Sequence, residues 1–574
     1  MVQLDRRSFI GKAGLVACVV GSIGKAQNRP VPPRKSPEKA ALPSARFAVE
    51  HCVTEWAYAS GKTYRDPFND VELDVIFRDP QGAEQRVPAF WAGDQVWRVR
   101  FAPSCPGRYS FHTVSSDPAN PDLHGQTGVL DVSPYTGENP LLKHGGVRIA
   151  SDRRHFEHAD GTPFFWLGDT WWMGLCRRLR WPEDFQKLAT DRAEKGFTVI
   201  QIIAGLYPDM PPFDARGENE AGYSWEENYR RINPGYFNMA DLRIQELVDR
   251  GLVPCIVGCW GYFLTFLGLG KIKQHWRNIV ARWGAYPVVW CLAGEGTMPY
   301  YLSKTKDEDT ARQKSGWTEV ARYVRSIDPY RRPITVHPSS TARDSVEDPT
   351  TIDFDMLQTG HSDRKSYPNT INKVTEELSR SPQMPVLVGE ACYEGILDEN
   401  REEVSRFLFW SCILSGAAGH TYGADGIWQV NTVDQPFGRS PHGRSWGGPS
   451  WETAAGLPGS RQVGLGKRML AHYSWWRMEP HPEWVEPHWN QENYELPYAA
   501  GIAREWRVIF VPPAWDPPMV RSLEPDVRYQ ALFFNPRSGT DQLIGDVVPD
   551  REGNWRSPLL PTFEQWVLLL TKKA

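Results

Sequence analysis

Two stretches decide the reading of this chain: Val288-Val289-Trp290-Cys291-Leu292-Ala293-Gly294-Glu295 and Pro385-Val386-Leu387-Val388-Gly389-Glu390. Each is a short, bulky apolar run that ends on a carboxylate, and such runs read as strands of a parallel sheet buried on both faces. An acid just past the last apolar residue of a barrel strand lies on the face where (β/α)8 enzymes keep their active sites. Two acids there meet the needs of retaining glycoside hydrolysis, one as a protonated acid and one as an ionised nucleophile. Glu295 and Glu390 are far enough apart for three βα units, which suits the fourth and seventh strands.

The pattern holds outward from these runs. Between about 140 and 465 the chain alternates strand and helix, as a parallel α/β domain does. Eight candidate strands end near Asp169, Gln201, Gly258, Gly294, His337, Gln358, Gly389 and Tyr422. Met239 to Val248 has helical apolar spacing with a stop at Gly251. The expected fold is α/β, a (β/α)8 TIM barrel over 139–465. Flanking regions differ. Residues 46–138 carry short runs such as Val96-Trp97-Arg98-Val99-Arg100-Phe101 between turn clusters and read as a β-sandwich; 466–574 read as a second one packed on the barrel.

Composition sets bounds. A chain of 574 residues is too long for one ordinary domain. With 65 basic and 69 acidic residues, net charge -4, it lacks the basic footprint of a nucleic-acid binder. Mean hydropathy is -0.49, and no apolar run after the N-terminus is long enough for a membrane span. The 25 Trp and 21 Tyr serve mostly as packing, with sugar platforms as their second use.

At the N-terminus, Asp5-Arg6-Arg7-Ser8-Phe9-Ile10-Gly11-Lys12 resembles a twin-arginine export motif, with a signal peptide over 1–26. The destination is then periplasmic or extracellular. A rival reading takes Leu15-Val16-Ala17-Cys18 as a lipoprotein box and Cys18 as a lipid anchor. Residues 27–45, rich in Pro, read as a linker. Of the nine Cys, Cys255, Cys259 and Cys291 read as buried thiols, while Cys52 and Cys105 are candidates for a disulfide.

Several segments match a known family. Phe164-Phe165-Trp166-Leu167-Gly168-Asp169-Thr170-Trp171-Trp172 resembles the first-strand signature of the apiosidase-like glycoside hydrolases, and Gly196 to Gln201 and Asn233 to Phe237 resemble the segments that follow it. The runs ending at Glu295 and Glu390 resemble that family's acid/base and nucleophile strands. Residues 46–138 resemble a domain of unknown function often attached to it, and the tail resembles a putative collagen-binding C-terminal domain. The resemblance implies a retaining clan of barrel hydrolases, a covalent glycosyl-enzyme intermediate, no metal or organic cofactor, and exo-action on a polysaccharide or its side chains. One residue departs: much of the clan has Asn before the acid/base, where its amide bonds the sugar 2-hydroxyl, and this chain has Gly294.

Glu295 is thus the expected acid/base and Glu390 the nucleophile, with Glu394 as a rival to Glu390. Expected substrate contacts are Asp169, Gln201, His337, Gln358, His361, His420 and Tyr422 at strand ends, and Trp171, Trp172, Trp260 and Trp428 just beyond them. Specificity is expected in loops 205–232, 261–272 and 423–450. The chain has no phosphate-binding Gly loop, dinucleotide turn or H-E-x-x-H motif. Gly443-Arg444-Ser445-Trp446-Gly447 spells a nucleophile elbow but lies in a loop. Endo-action on the same carboxylates and an inactive carbohydrate-binding protein stay open as alternatives. Oligomeric state is not readable.

Overall fold

The computed structural model describes residues 44–573. The twin-arginine motif, Cys18 and most of the Pro-rich segment lie outside the described residues. Eight parallel strands form the central sheet, numbered here β1 Trp166–Trp171, β2 Val199–Ile203, β3 Val253–Val257, β4 Val289–Cys291, β5 Ile334–Thr335, β6 Asp355–Gln358, β7 Val386–Glu390 and β8 Gly419–Tyr422. Each pairs with its neighbours in sequence except β5 with β6, and β1 pairs with β8, so the sheet curls into a nearly closed barrel. The β5–β6 seam has no regular ladder. It is joined by the Asp353 amide donating to the Ile334 carbonyl at 2.8 Å and the Thr335 hydroxyl donating to the Phe354 carbonyl at 2.9 Å.

Helices α1 Glu183–Lys195, α2 Pro234–Asp249, α3 Phe263–Trp283 and α4 Lys306–Ile327 follow β1 to β4. α1 stops at Gly196, whose φ of 93° an L side chain would resist. α2 starts where Asn233 accepts from the Gly235 and Tyr236 amides and Pro234 occupies the first turn. It buries Tyr236, Phe237, Ala240, Ile244 and Leu247 on one face, as the apolar spacing predicts. The expected helix between β5 and β6 is absent. Two 3-10 turns, Arg343–Ser345 and Pro349–Thr351, make that crossing in a segment of Pro, Ser, Thr and Asp, residues whose side chains compete with helical hydrogen bonds. α5 Tyr367–Leu378 and α6 Glu402–Leu414 complete the β6 and β7 units, and α7 Trp451–Ala455 and α8 Pro458–Leu470 follow β8.

The flanking sheets are antiparallel apart from one parallel edge pair. On the N-terminal side, five strands face three around a core that includes Trp56, Phe77, Trp97, Phe101 and Phe111. On the C-terminal side six strands face three. Tyr498, Val508 and Phe510 of the larger sheet pack into the barrel core, while Ala499, Ile509 and Val511 fill the sandwich. Burial on both faces explains why Val567 to Leu570 is apolar without alternation. Cys52 and Cys105, the candidates for a disulfide, are free thiols; the Cys105 sulfur sits 3.2 Å from the Tyr109 hydroxyl. Cys255, Cys259 and Cys291 are buried. Among the described residues no helix is long and apolar enough to cross a membrane.

Candidate active site

Glu390 is the last residue of β7, and Glu295 lies in the loop after β4. One amide joins them: Gln358 Nε2, at the end of β6, donates to Oε1 of each glutamate at 3.1 Å. Those two oxygens therefore lie no more than 6.2 Å apart. His361 Nε2 is 2.8 Å from Glu390 Oε1, and the Tyr393 hydroxyl donates to Oε2 at 2.5 Å. His337 Nε2 is 3.2 Å from Oε2 but off the angle of a hydrogen bond.

The environments of the two acids differ. For Glu295, burial is the largest influence and the neighbouring Glu390 charge adds to it, pushing the carboxyl up to about 7. For Glu390 burial also acts upward, but the adjacent His337 and the hydrogen-bonded His361 outweigh it and hold the carboxyl well below the usual range. One group is equipped to carry a proton near neutrality and the other to stay ionised, the division that acid catalysis beside a carboxylate nucleophile needs.

The backbone at Glu295 is strained, with φ of 41°, a conformation costing an L-residue about 1–3 kcal/mol. Close packing holds it there. The Gly261 amide donates to the Gly294 carbonyl at 2.7 Å and the Gly294 amide to the Cys259 carbonyl at 2.9 Å. A Cβ at Gly261 would meet the Glu295 carbonyl oxygen at 2.6 Å, and one at Gly294 would meet the Trp260 ring at 2.2 Å. Gly294 is thus accounted for: the Trp260 ring covers the place where an Asn side chain would start.

Glu295 and Glu390 open into a cavity of about 260 Å³. Of the expected contacts, Trp172, Trp260, Gln358, His361 and Trp428 line it. Trp172 meets Trp260 edge to face at 5.8 Å and His337 at 5.0 Å. His337 is fully buried beside Glu390. Gln201 points into the barrel below, its amide donating to the Gly389 carbonyl at 2.9 Å, so it supports the strand of Glu390 from within.

Asp169, Trp171, His420 and Tyr422 do not reach the cavity. On β1, Trp166 and Thr170 face the barrel interior, where they bond Thr421 and Gln201. The alternation of a strand then turns Asp169 and Trp171 outward. Asp169 is fully buried, with Arg192 Nε of α1 at 2.6 Å and the Trp171 indole N–H at 2.8 Å. On β8 Thr421 is the inward residue, so His420 packs on Phe409 and the Tyr422 hydroxyl bonds Glu394. Glu394 also accepts from the Gly459 amide at 3.0 Å and is absent from the cavity lining, unlike Glu390. Arg192→Ala would leave the Asp169 carboxylate buried and unpaired. It is expected to lower stability by about 3–5 kcal/mol in chemical unfolding, with Arg192→Met/Asp169→Leu recovering most of the loss. A loss below about 1 kcal/mol would show that the pair does not hold α1 to the barrel.

Asp209, Met298, Tyr301, Tyr393, Ile396, His442 and Trp446 also line the cavity and were not singled out in the sequence. Asp209, His442 and Trp446 fall in loops 205–232 and 423–450, where specificity was expected; no residue of 261–272 lines the cavity, because α3 begins at Phe263. The aromatic pair Tyr300-Tyr301 shortly after Glu295 was the available signal for Tyr301.

A nearly closed parallel barrel with two carboxyls past its strand ends is an architecture that glycoside hydrolases use. The chain belongs to the apiosidase-like family: residues 150–477, more than half its length, match that family's catalytic domain, and residues 50–116 match a domain of unknown function, DUF5060. Three solved structures share the fold. A putative glycoside hydrolase from Bacteroides vulgatus is 16% identical, with 92% of this chain and 100% of that one covered and a TM-score of 0.67. A family 5 glycoside hydrolase from the same organism is 21% identical over 76% of this chain and 95% of its own, with a TM-score of 0.62. A third structure, titled only as a glycoside hydrolase, is 20% identical over 76% and 98%, with a TM-score of 0.61. No curated protein matches the chain.

Proposed function

We propose that this chain is a retaining, exo-acting glycoside hydrolase that releases a sugar from a polysaccharide or its side chains. The observation that carries this is the Gln358 bridge, which limits the Glu295–Glu390 oxygen separation to 6.2 Å. That suits the separation of about 5–5.5 Å in retaining enzymes and leaves little room for the attacking water of an inverting one. Glu390 attacks the anomeric carbon while Glu295 gives its proton to the departing oxygen, so the glycosidic C–O bond breaks as the C–O bond to Glu390 forms. Glu295, now a carboxylate, takes a proton from water, whose oxygen displaces Glu390. A cavity of about 260 Å³ suits one sugar unit and so supports exo-action. The N-terminal twin-arginine motif supports export.

The test is sugar release from a panel of glycans and aryl glycosides, with the first-formed anomer read by NMR. Retention in the initial product agrees; inversion overturns the mechanism. The pH profile gives a second check. Glu295 must be protonated in the free enzyme, so kcat/KM is full below its pKa and falls as pH rises through about 7. Glu390 must be ionised, and its lowered pKa puts the acid limb below the usual carboxylate range. Undiminished kcat/KM at pH 9 would remove Glu295 from the acid role.

A further inference from the structure

The cavity holds a third carboxylate, whose surroundings bear on which sugar enters. Asp209 lies in the loop after β2, is only 7% exposed, and has φ of 57°, a left-handed conformation that costs a non-glycine residue energy. Tyr301, from the loop after β4, clamps it twice: the hydroxyl donates to Asp209 Oδ1 at 3.1 Å and accepts from the Asp209 amide at 3.1 Å. Tyr301 in turn stacks on His442, from the loop after β8, with centroids 4.8 Å apart. Three loops thus converge to hold one acid in a fixed pose. Burial, the largest influence, pushes its carboxyl up against the opposing pull of the Trp446 and Tyr301 donors. The Trp446 indole N–H is directed at this carboxyl but makes no hydrogen bond that satisfies distance and angle together, so Tyr301 supplies the one well-formed side-chain donor.

Carboxyl groups dominate the lining. Asp209, Glu295 and Glu390 are present beside His361 and His442, and among the described residues no Lys or Arg lines the cavity. Arg216, whose charge reaches Asp209, is already taken up by both oxygens of Asp214 and by the Phe437 and Arg439 carbonyls. The Arg444 guanidinium lies over the Trp446 ring at 4.3 Å. A sugar carboxylate entering here would meet ionised Glu390 and the Asp209 carboxyl with no lining Lys or Arg to pair with. A hydroxyl would find a carboxyl oxygen that no well-formed hydrogen bond from the protein occupies.

We infer that Asp209 is the specificity-determining residue of this cavity, accepting a hydroxyl of the bound glycosyl unit and restricting the substrate to neutral sugars with uronic acids excluded. This rests on the hydrolase reading above. Exclusion follows from like charge in a poorly solvated site, and selection follows from the loss incurred when a buried acceptor is left empty.

The experiment compares wild type, Asp209→Asn and Tyr301→Phe on nitrophenyl glycosides of neutral pentoses and hexoses, uronic acids and amino sugars, then on monodeoxy forms of whichever neutral sugar is cleaved. Thermal midpoints confirm folding. Wild type should cleave a neutral glycoside and leave the matching uronide intact. Asp209→Asn should lower kcat/KM on the neutral sugar by about 10- to 100-fold. On the monodeoxy form lacking the contacted hydroxyl that loss should shrink to about 2-fold. Tyr301→Phe, which frees Asp209 from its clamp but keeps the charge, should raise KM more than it lowers kcat. Preferential cleavage of a uronide or an amino sugar overturns the inference and leaves the hydrolase reading standing. So does an equal loss in Asp209→Asn on every deoxy form, which would mark a structural role. If wild type cleaves none of the panel while folded, the hydrolase reading fails and this inference fails with it.

Discussion

Under the proposed mechanism Glu390→Ala should abolish turnover, with kcat/KM falling on the order of 10⁵-fold, because the carboxylate that would form the covalent intermediate is gone. His361, Tyr393, Gln358 and His337 converge on this one carboxylate. Glu394, four residues on, cannot substitute: it is absent from the cavity lining and is bonded to Tyr422 and Gly459. Since the side chains around Glu390 lose their partner, Glu390→Gln is the companion variant; it keeps the shape and one accepting oxygen and removes the nucleophilic charge. Both should be inactive on an activated aryl glycoside, with Glu390→Gln closer to the wild-type thermal midpoint than Glu390→Ala. Activity within tenfold of wild type in either variant sinks the assignment of Glu390.

Glu295→Ala has an effect that depends on the leaving group. With a sugar or alkyl leaving group the departing oxygen needs a proton, and kcat/KM should fall about 10²–10⁴-fold. A nitrophenolate leaves without help, so the first step on an aryl glycoside should be nearly intact. The second step still needs a base, so the glycosyl-enzyme accumulates as a burst and steady turnover is slow. Azide, an anion that needs no base, should restore turnover and give a glycosyl azide of retained configuration. The fall in rate above pH 7 should vanish in this variant, since it reports the ionisation of Glu295. Equal losses on aryl and alkyl substrates, with no azide rescue, would mean that Glu295 does not transfer the proton.

Gly294 illustrates how far a departure in sequence can be read before the fold is known. As a letter it marks only the loss of an Asn. In space it is the contact point of β3 and β4 backbones beneath the Trp260 ring, and the ring excludes any side chain there. Polar recognition near the anomeric carbon then has to come from other loops, and Asp209, on the loop after β2, lines the same cavity.

What could be read from the residues alone was the part governed by local pattern. Apolar runs of strand length, helical spacing between them and a carboxylate past the ends of two runs were enough for the barrel and for placing Glu295 and Glu390 together at one end of it, because strand order in a (β/α)8 fold follows chain order. The facing of each strand residue was not readable. Barrel strands are buried on both sides, so inward Thr170, Gln201 and Thr421 and outward Asp169, Trp171, His420 and Tyr422 carry no distinguishing polarity pattern, and a one-residue change of parity moves a side chain from the interior to the helix layer. The far wall of the cavity was equally hidden. Asp209, Tyr301 and His442 lie on three loops separated by scores of residues, and they meet because barrel closure brings β2, β4 and β8 loops to one end, a long-range contact that no local signal encodes.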